Sequence, residues 1–586
     1  MASLPPKAAA RAALLLMLLA LAPLWLPGTF DRGLWTPDEP READIAWRMS
    51  IQPDRTLPEL AGTPFLEKPP LSYWMAGGAI AALGDFPAAA RAPNLLYAVI
   101  TALAVGALAL AMELPALPAL LAALVALSAL TVYRVMIWLA PDACLLAGCA
   151  VALLGTWLGL KSPPGARKAG GYALLHLGAA VGFMAKSAPG WLVPGLALLA
   201  FIIWERRWAE LRRWELYAGL ALQAVIIGPW IVAVARSAHG AEALTALFWN
   251  NVVGRFTQVS SPAALDYTTG HHNVPGKYLL ELPLYLLPWT FVVAAALTRA
   301  WTRMREPGTR GAVWRFALCS SVPFLVLLSV AATARDIYAA PALLGFGLLA
   351  GLWVEDARRL PRRGDRFATL ATAALVALMA IVFALALAVL AAAGAAAPIV
   401  SAVAALAVVA AAAAALALAV RATRGGDFAR SLAWSYAGYA LALCFAARLI
   451  LPVVDRWQDL PALAARIHAD TAQQWLALLD PDETTIAMLD HGSGARFTVL
   501  ASGGAAPGQA VASWFATHGP AARVLVLLPG HAGGAVTELL ARLHPIAAPG
   551  DGVAGTLVAG GAAALATRYE LPQGRRYALL APPAAH

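Results

Sequence analysis

The amino-acid sequence predicts a polytopic α-helical membrane protein with about thirteen transmembrane helices and a small C-terminal α/β soluble domain. Three observations lead there. Of 586 residues, 60% are hydrophobic and only 13% charged, and the mean hydropathy is +0.68, which leaves too few charges to clothe a water-soluble globule. The apolar residues gather in runs long enough to cross roughly 30 Å of hydrocarbon as helix. Beyond about residue 455 the texture changes to short mixed segments punctuated by Gly and Pro.

The apolar runs fall near residues 11–28, 92–112, 116–134, 142–160, 171–185, 188–204, 215–236, 277–298, 313–332, 337–354, 367–393, 396–420 and 431–452. No small-residue cleavage site follows the first run, so it reads as an uncleaved helix rather than a signal peptide. If the helices alternate, one set of gaps holds Lys161, Arg167 and Lys168 and the arginine-rich blocks at 206–213, 299–315, 358–366 and 421–430. The positive-inside rule makes that side, and with it the N-terminus, cytoplasmic. The opposite side then carries two long loops, 29–91 and 237–276, and the C-terminal domain. This divides the chain into a transmembrane domain, 1–454, and an outer, periplasmic domain, 455–586. In the latter TTIAML (484–489), RFTVLA (496–501), RVLVLL (523–528) and RYALLA (576–581) read as strands, and 462–479 and 508–518 as helices. Residues 370–420, almost purely Ala, Leu and Val, read as scaffold or lipid-facing helix.

The net charge of +10 would suggest nucleic acid for a soluble chain. Here the basic residues sit in short blocks between apolar runs, where they orient a membrane protein, so no nucleic-acid partner is expected. Cys144, Cys149, Cys319 and Cys444 lie inside apolar runs and behave as small hydrophobes, with no disulfide or zinc framework. No glycine-rich nucleotide loop is present.

The conspicuous polar groups near the membrane all map to the outer side: Asp38, Glu39, Arg41, Asp44, Glu67, Lys68, Asp142, Lys186, Arg255, His271, His272, Arg335 and Asp336. Charge at that boundary is costly unless it is paired or faces water, so their convergence marks a polar site. Asp38 and Lys68 stand out because Pro and aromatic neighbours stiffen their segments. The adjacent His271 and His272 would diverge on a helix, whereas in a loop both can face one site. They serve either as hydrogen-bonding groups or, with Asp38 or Asp142, as ligands of a divalent metal; no other cofactor is expected.

Seven segments carry a family resemblance. TPDEPREADIAWRM (36–49) resembles the DE-x-R-x-AE-I-x-x-x-M pattern of the bacterial aminoarabinose transferases and their relatives in the protein O-mannosyltransferase superfamily. FLEKPPLSYW (65–74) resembles their FEKPP-x-x-YW segment, and Pro141-Asp142 their second acidic turn. MAKSAPGWLVP, FWNNVVGRF, GHHNVPGKYLLELPLYLLPW and ARDIYAAPAL resemble, in order, an AKG segment, an FW…RF loop, a GH…PW helix entry and a K-x-P-x-Y-x-LP segment.

The resemblance, over roughly the first 350 residues, implies a GT-C membrane glycosyltransferase of the bacterial cytoplasmic membrane. It would transfer a sugar, aminoarabinose or a related one, from polyprenyl phosphate to a lipid or glycan acceptor such as lipid A, with inversion. The leaving group is then a lipid phosphate, which calls for fixed cations: Lys68 and Arg255, with Arg41 and Lys186. Asp38 would take the acceptor proton or stabilise an oxocarbenium-like transition state. Asp142 would align Lys68 or the acceptor, and Glu39, Glu67, His271, His272 and Tyr338 complete the substrate-binding set. Three departures bear on the substrate. Glu42 replaces the family's Tyr, a Lys is lost around 334–336, and Asn250, Asn251 and Val252 stand where the relatives carry Glu-His. A transporter or flippase, or a non-catalytic lipid-binding protein, is the rival reading, although a transporter would place its ionisable groups at mid-membrane. The sequence is silent on oligomeric state.

Overall fold

The computed structural model describes residues 6–254, 273–331, 335–502, 507–529 and 551–583. The chain forms two compact units. One comprises Met1–Asp31, Gln52–Pro58 and Pro64–Ile450, the other Arg32–Ile51, Glu59–Thr63 and Leu451–His586. A single boundary near 454 therefore misses two N-terminal excursions into the second unit.

In chain order the helices are α1 (Pro6–Trp25), α2 (Glu39–Ile51), α3 (Leu71–Leu83), α4 (Pro87–Ala111), α5 (Ala116–Ser128), α6 (Leu130–Ile137), α7 (Asp142–Lys161), α8 (Ala166–Lys186), α9 (Pro189–Glu205), α10 (Trp214–Arg236) and α11 (Gly240–Leu244). They continue as α12 (Lys277–Tyr285), α13 (Thr290–Arg303), α14 (Gly308–Cys319), α15 (Val322–Val330), α16 (Ala340–Arg359), α17 (Arg363–Ala392), α18 (Pro398–Arg424) and α19 (Phe428–Phe445). All but α2 lie in the first unit. Among the described residues eight helical segments are long and apolar enough to cross a membrane, or up to ten if two bent pairs each count as one span. The chain is thus a polytopic helical membrane protein.

Burial sorts these helices. The apolar window of the segment Asp336–Arg359 is 94% buried and that of α7 83%, whereas the windows of α17 and α18 are 39% and 22% buried. The first two are therefore interior elements. The last two expose Leu378, Ile381, Leu385, Ile399, Val403 and Leu406, a surface that suits lipid and not water. About half of the loop expected at 29–91 is helix: α2, α3 and the start of α4 lie in it.

α7 and α8 pack antiparallel through small residues. A Cβ on Gly148 would lie 2.6 Å from the amide nitrogen of Gly182, and one on Gly178 2.5 Å from the carbonyl oxygen of Gly148. Only glycine permits backbones this close, as in small-residue interfaces of membrane helices generally. This contact carries the N-terminus of α7 to the C-terminus of α8.

The second unit contains α2, α20 (Leu451–Trp457), α21 (Leu460–Thr471), α22 (Glu483–Ser493), α23 (Pro507–His518) and α24 (Gly552–Ala559). Its five-stranded sheet is built from β3 (Trp475–Leu479), β4 (Thr498–Leu500), β5 (Ala522–Leu528), β6 (Ala564–Glu570) and β7 (Arg576–Ala581), while β1 (Glu59–Leu60) and β2 (Thr63–Pro64) make a separate small hairpin. The strand order is β4-β3-β5-β7-β6. β3 runs parallel to β4 and β5, and β7 antiparallel to β5 and β6. Apolar clusters cover both faces, one around Leu463, Ile467 and Leu478, the other around Val511, Val524 and Leu580.

Two expectations are corrected here. Residues 484–489 are helix, not strand, because the Asp482 carboxylate accepts from the Thr485 amide at 2.9 Å and starts α22. The helix expected over 462–479 ends at Thr471, and its last residues form β3. A short strand buried on both faces has no alternation to distinguish it from helix.

Candidate active site

A buried ion pair lies at one end of the α7–α8 pair. Asp142 is the first residue of α7 and Lys186 the last of α8, each at the helix end whose dipole favours its charge. Lys186 Nζ sits 2.5 Å from Asp142 Oδ1 and 4.5 Å from the centre of the Tyr338 ring. Asp142 is only 5% exposed. The cation is thus held by a buried carboxylate and an aromatic face together. Lys186, read from sequence as one of the cations for the lipid phosphate, is paired with Asp142 in this structure.

Tyr338 lies on a short 3-10 turn, Asp336–Ala339. The Tyr278 hydroxyl donates to the Arg335 carbonyl at 2.9 Å and accepts from the Arg335 amide at 3.0 Å, which pins the entry to that turn. Asp336 pairs with Arg134, whose guanidinium also stacks over Trp138 at 5.4 Å. The Asn94 amide donates to the carbonyls of Met136 and Trp138 at 3.1 and 2.8 Å, fixing the segment that delivers Asp142. Arg134 and Asn94 were not singled out from sequence. The available signal was an ionisable residue at the end of an apolar run.

Glu67 is buried in the FLEKPP segment that enters α3 after Pro70. Lys68 follows it, half-buried, with Nζ 5.6 Å from the centre of the Phe65 ring. Arg255, His271 and His272 lie outside the described residues.

Asp38, Glu39 and Arg41 belong to the second unit. Glu39, fully buried, accepts from Arg32 Nη2 at 2.8 Å and from the Trp35 amide at 2.9 Å. Arg41 engages Glu42 at 2.7 Å, Asp38 at 3.3 Å and the Glu483 carboxylate of α22. Both residues, read from sequence as substrate contacts, also secure the fold. Arg48 binds Asp490 at 2.5 Å and lies 3.7 Å from Asp44. Burial drives the Asp44 pKa up to about 8, although its Oδ2 accepts from the Ala61 amide at 2.9 Å. Among the described residues no three His, Cys, Asp or Glu side chains gather as metal ligands.

The fold and this site define a polytopic membrane protein with a buried ion pair at one end of a tightly packed helix pair. The particular likeness is to glycosyl-transferring relatives. Residues 67–232 match the family described as dolichyl-phosphate-mannose-protein mannosyltransferase. The undecaprenyl phosphate-α-4-amino-4-deoxy-L-arabinose arabinosyl transferase of Edwardsiella ictaluri is 30% identical over 346 residues, 58% of this chain and 58% of that protein. Its counterpart in Pseudomonas paraeruginosa is 27% identical over 339 residues. The matching stretch thus spans a little over half the length of these curated relatives. In structure the chain resembles ArnT from Cupriavidus metallidurans bound to undecaprenyl phosphate, with a TM-score of 0.68, 20% identity, and coverage of 97% of this chain and 98% of that one. The apo state of that protein gives 0.66. The chain shares that fold, and its sequence is similar to those transferases over a little more than half its length.

Proposed function

We propose that the protein is a GT-C glycosyltransferase that moves a sugar from polyprenyl phosphate to a lipid or glycan acceptor at the outer face of the bacterial cytoplasmic membrane. The observation that carries this reading is the Asp142–Lys186–Tyr338 cluster, set in a fold whose near-complete counterpart was solved with undecaprenyl phosphate. In such a transfer the acceptor oxygen forms a bond to the anomeric carbon while the bond to the phosphate oxygen breaks, and the electron pair leaves as a phosphate monoester. The extra negative charge needs fixed cations. Lys68, in its proline-stiffened segment, supplies one, and Arg255 another. Asp142 and Lys186 together offer an acid and a base whose sharing shifts as charge develops. Asp38 takes the acceptor proton, or, where the acceptor is itself a phosphate, stabilises the oxocarbenium-like carbon by its charge. Its assignment rests on the sequence resemblance.

The departures at Glu42, Asn250 and Asn251 leave the sugar open within this class, with aminoarabinose or a related sugar on lipid A the leading choice. No resident cofactor is assigned. A divalent metal would draw on Asp38, Asp142, His271 and His272, and two of those carboxylates already face Arg41 and Lys186. The reading of thirteen spans, a cytoplasmic N-terminus and a periplasmic C-terminal domain rests on the basic residues of alternate gaps, and each of the thirteen apolar runs overlaps helix. The deciding experiment compares lipid A and glycolipids of a deletion strain with its parent. It is paired with an assay of the purified protein for polyprenyl phosphate release from a polyprenyl-phosphate sugar. Unchanged glycolipids together with no release would refute the reading.

A further inference from the structure

α9 begins three residues after Lys186 and, at about 1.5 Å per residue, carries the chain about 25 Å away from it. At its far end an open surface cavity of about 550 Å³ is lined by Trp204, Glu205, Arg206, Met304, Arg305 and Arg315. We propose that this cavity binds the phosphodiester headgroup of an anionic phospholipid, with Arg206 and Arg305 as the cationic ligands.

Apart from Arg206 and Arg305, the charges of the cavity wall are paired. The Arg315 guanidinium pairs with Glu205 and donates to the carbonyls of Met304 at 2.5 Å and Glu306 at 2.9 Å. The Glu306 carboxylate is taken by Arg303. Arg206 and Arg305 are therefore in excess: among the described residues neither has a carboxylate partner. Both are exposed, so an anionic headgroup can reach them directly.

Two further observations agree. Arg206 ends α9 at φ +54° and ψ +34°, a left-handed conformation in which helices usually place glycine and which costs a residue with a Cβ roughly 1 kcal/mol. A cation suits a helix C-terminus, but Lys or Arg one residue earlier would serve that end without strain. Its position at the cavity edge is what the strain secures. Trp204 and Trp301 are 44% and 61% exposed, and the Arg305 guanidinium lies 4.6 Å from the Trp301 ring. Exposed indoles at helix ends mark the depth of lipid headgroups, where basic pockets between helices hold anionic lipids. The site needs membrane-spanning helices and is independent of any transferase activity.

The test uses the full-length protein in neutral detergent, titrated separately with phosphatidylglycerol, phosphatidylcholine and sodium phosphate. Retained lipid is counted by native mass spectrometry, and unfolding is followed thermally. The wild type should retain phosphatidylglycerol over phosphatidylcholine, and the Arg206→Gly/Arg305→Ala variant should bind it roughly 30-fold more weakly. Arg206→Gly alone relieves the left-handed strain, so it should unfold no earlier than wild type in phosphatidylcholine yet lose part of the selectivity. Undiminished phosphatidylglycerol retention by both variants would overturn the site. Protection by sodium phosphate equal to that by phosphatidylglycerol would overturn the lipid and assign a soluble anion.

Discussion

Asp142 and Lys186 are buried together, and burying a charge pair is tolerated only while both members remain. Asp142→Asn should therefore cost turnover by about 10² to 10⁴-fold, the range for a charged group acting in the transition state. It leaves an uncompensated ammonium beside Tyr338. In a double-mutant cycle, Asp142→Asn/Lys186→Met should be no worse than either single change, because the two act as one unit. Additive losses in a purified transfer assay would show that they act separately. Lys68→Ala should instead raise KM for the lipid-linked donor, since a ground-state contact to phosphate is lost. In the second unit burial makes Asp44 hold a proton more tightly in the fold, with a pKa of about 8, than an ordinary aspartate with its 3.8. Its contribution to stability is thus full below about pH 4 and lost as pH rises through 8, at up to about 1.4 kcal/mol per pH unit. Thermal unfolding of Asp44→Asn from pH 5 to 9 should show a flatter profile than wild type. Parallel profiles would mean that Asp44 is already ionised in the fold.

The glycines of α7 and α8 position that pair from a distance. Gly178→Ala would drive a methyl into the Gly148 carbonyl, at 2.5 Å, and over-packing of this kind costs about 1–3 kcal/mol. The helices would have to part, so transfer should fall although no polar group has changed. Normal turnover with a lowered unfolding temperature would confine the glycines to stability. Much at this level was legible in sequence. The apolar runs, the acids between them and Lys186 all stand out because membrane composition makes a charge conspicuous. What was not legible depends on contacts remote in sequence or on local caps. Asp482 turns a strand-like TTIAML into helix. Arg134, at the edge of an apolar run, gains meaning only from Asp336, 202 residues away. The acids of α2 read as a membrane-edge cluster, yet Arg41 and Arg48 join α2 to α22, which no local pattern records.

For the whole molecule the division into two units makes a direct prediction. Residues 451–586 alone lack α2, which packs on α22, so that fragment should be poorly folded. Joining residues 32–63 to it by a flexible linker should restore a cooperative transition. A well-folded 451–586 fragment by circular dichroism and calorimetry would reduce α2 to an accessory. If the proposed thirteen spans precede it, a reporter fused after residue 586 should be active only outside the cytoplasm; cytoplasmic activity would overturn the thirteen-span topology.

The Gly33 amide and the Trp35 indole both reach Asp455, each at 2.8 Å, across 422 and 420 residues of chain. On the ribosome that separation is a delay. At about 5–20 residues per second, on the order of 20–80 s pass between emergence of Gly33 and of its partner. Through that interval the carboxylates and guanidiniums of residues 32–51 wait without the surface that will bury them. Biogenesis then depends on whatever shields this strip until the ribosome finishes. A nascent chain arrested near residue 450 should be cut by an external protease between 32 and 51, and the completed chain should resist.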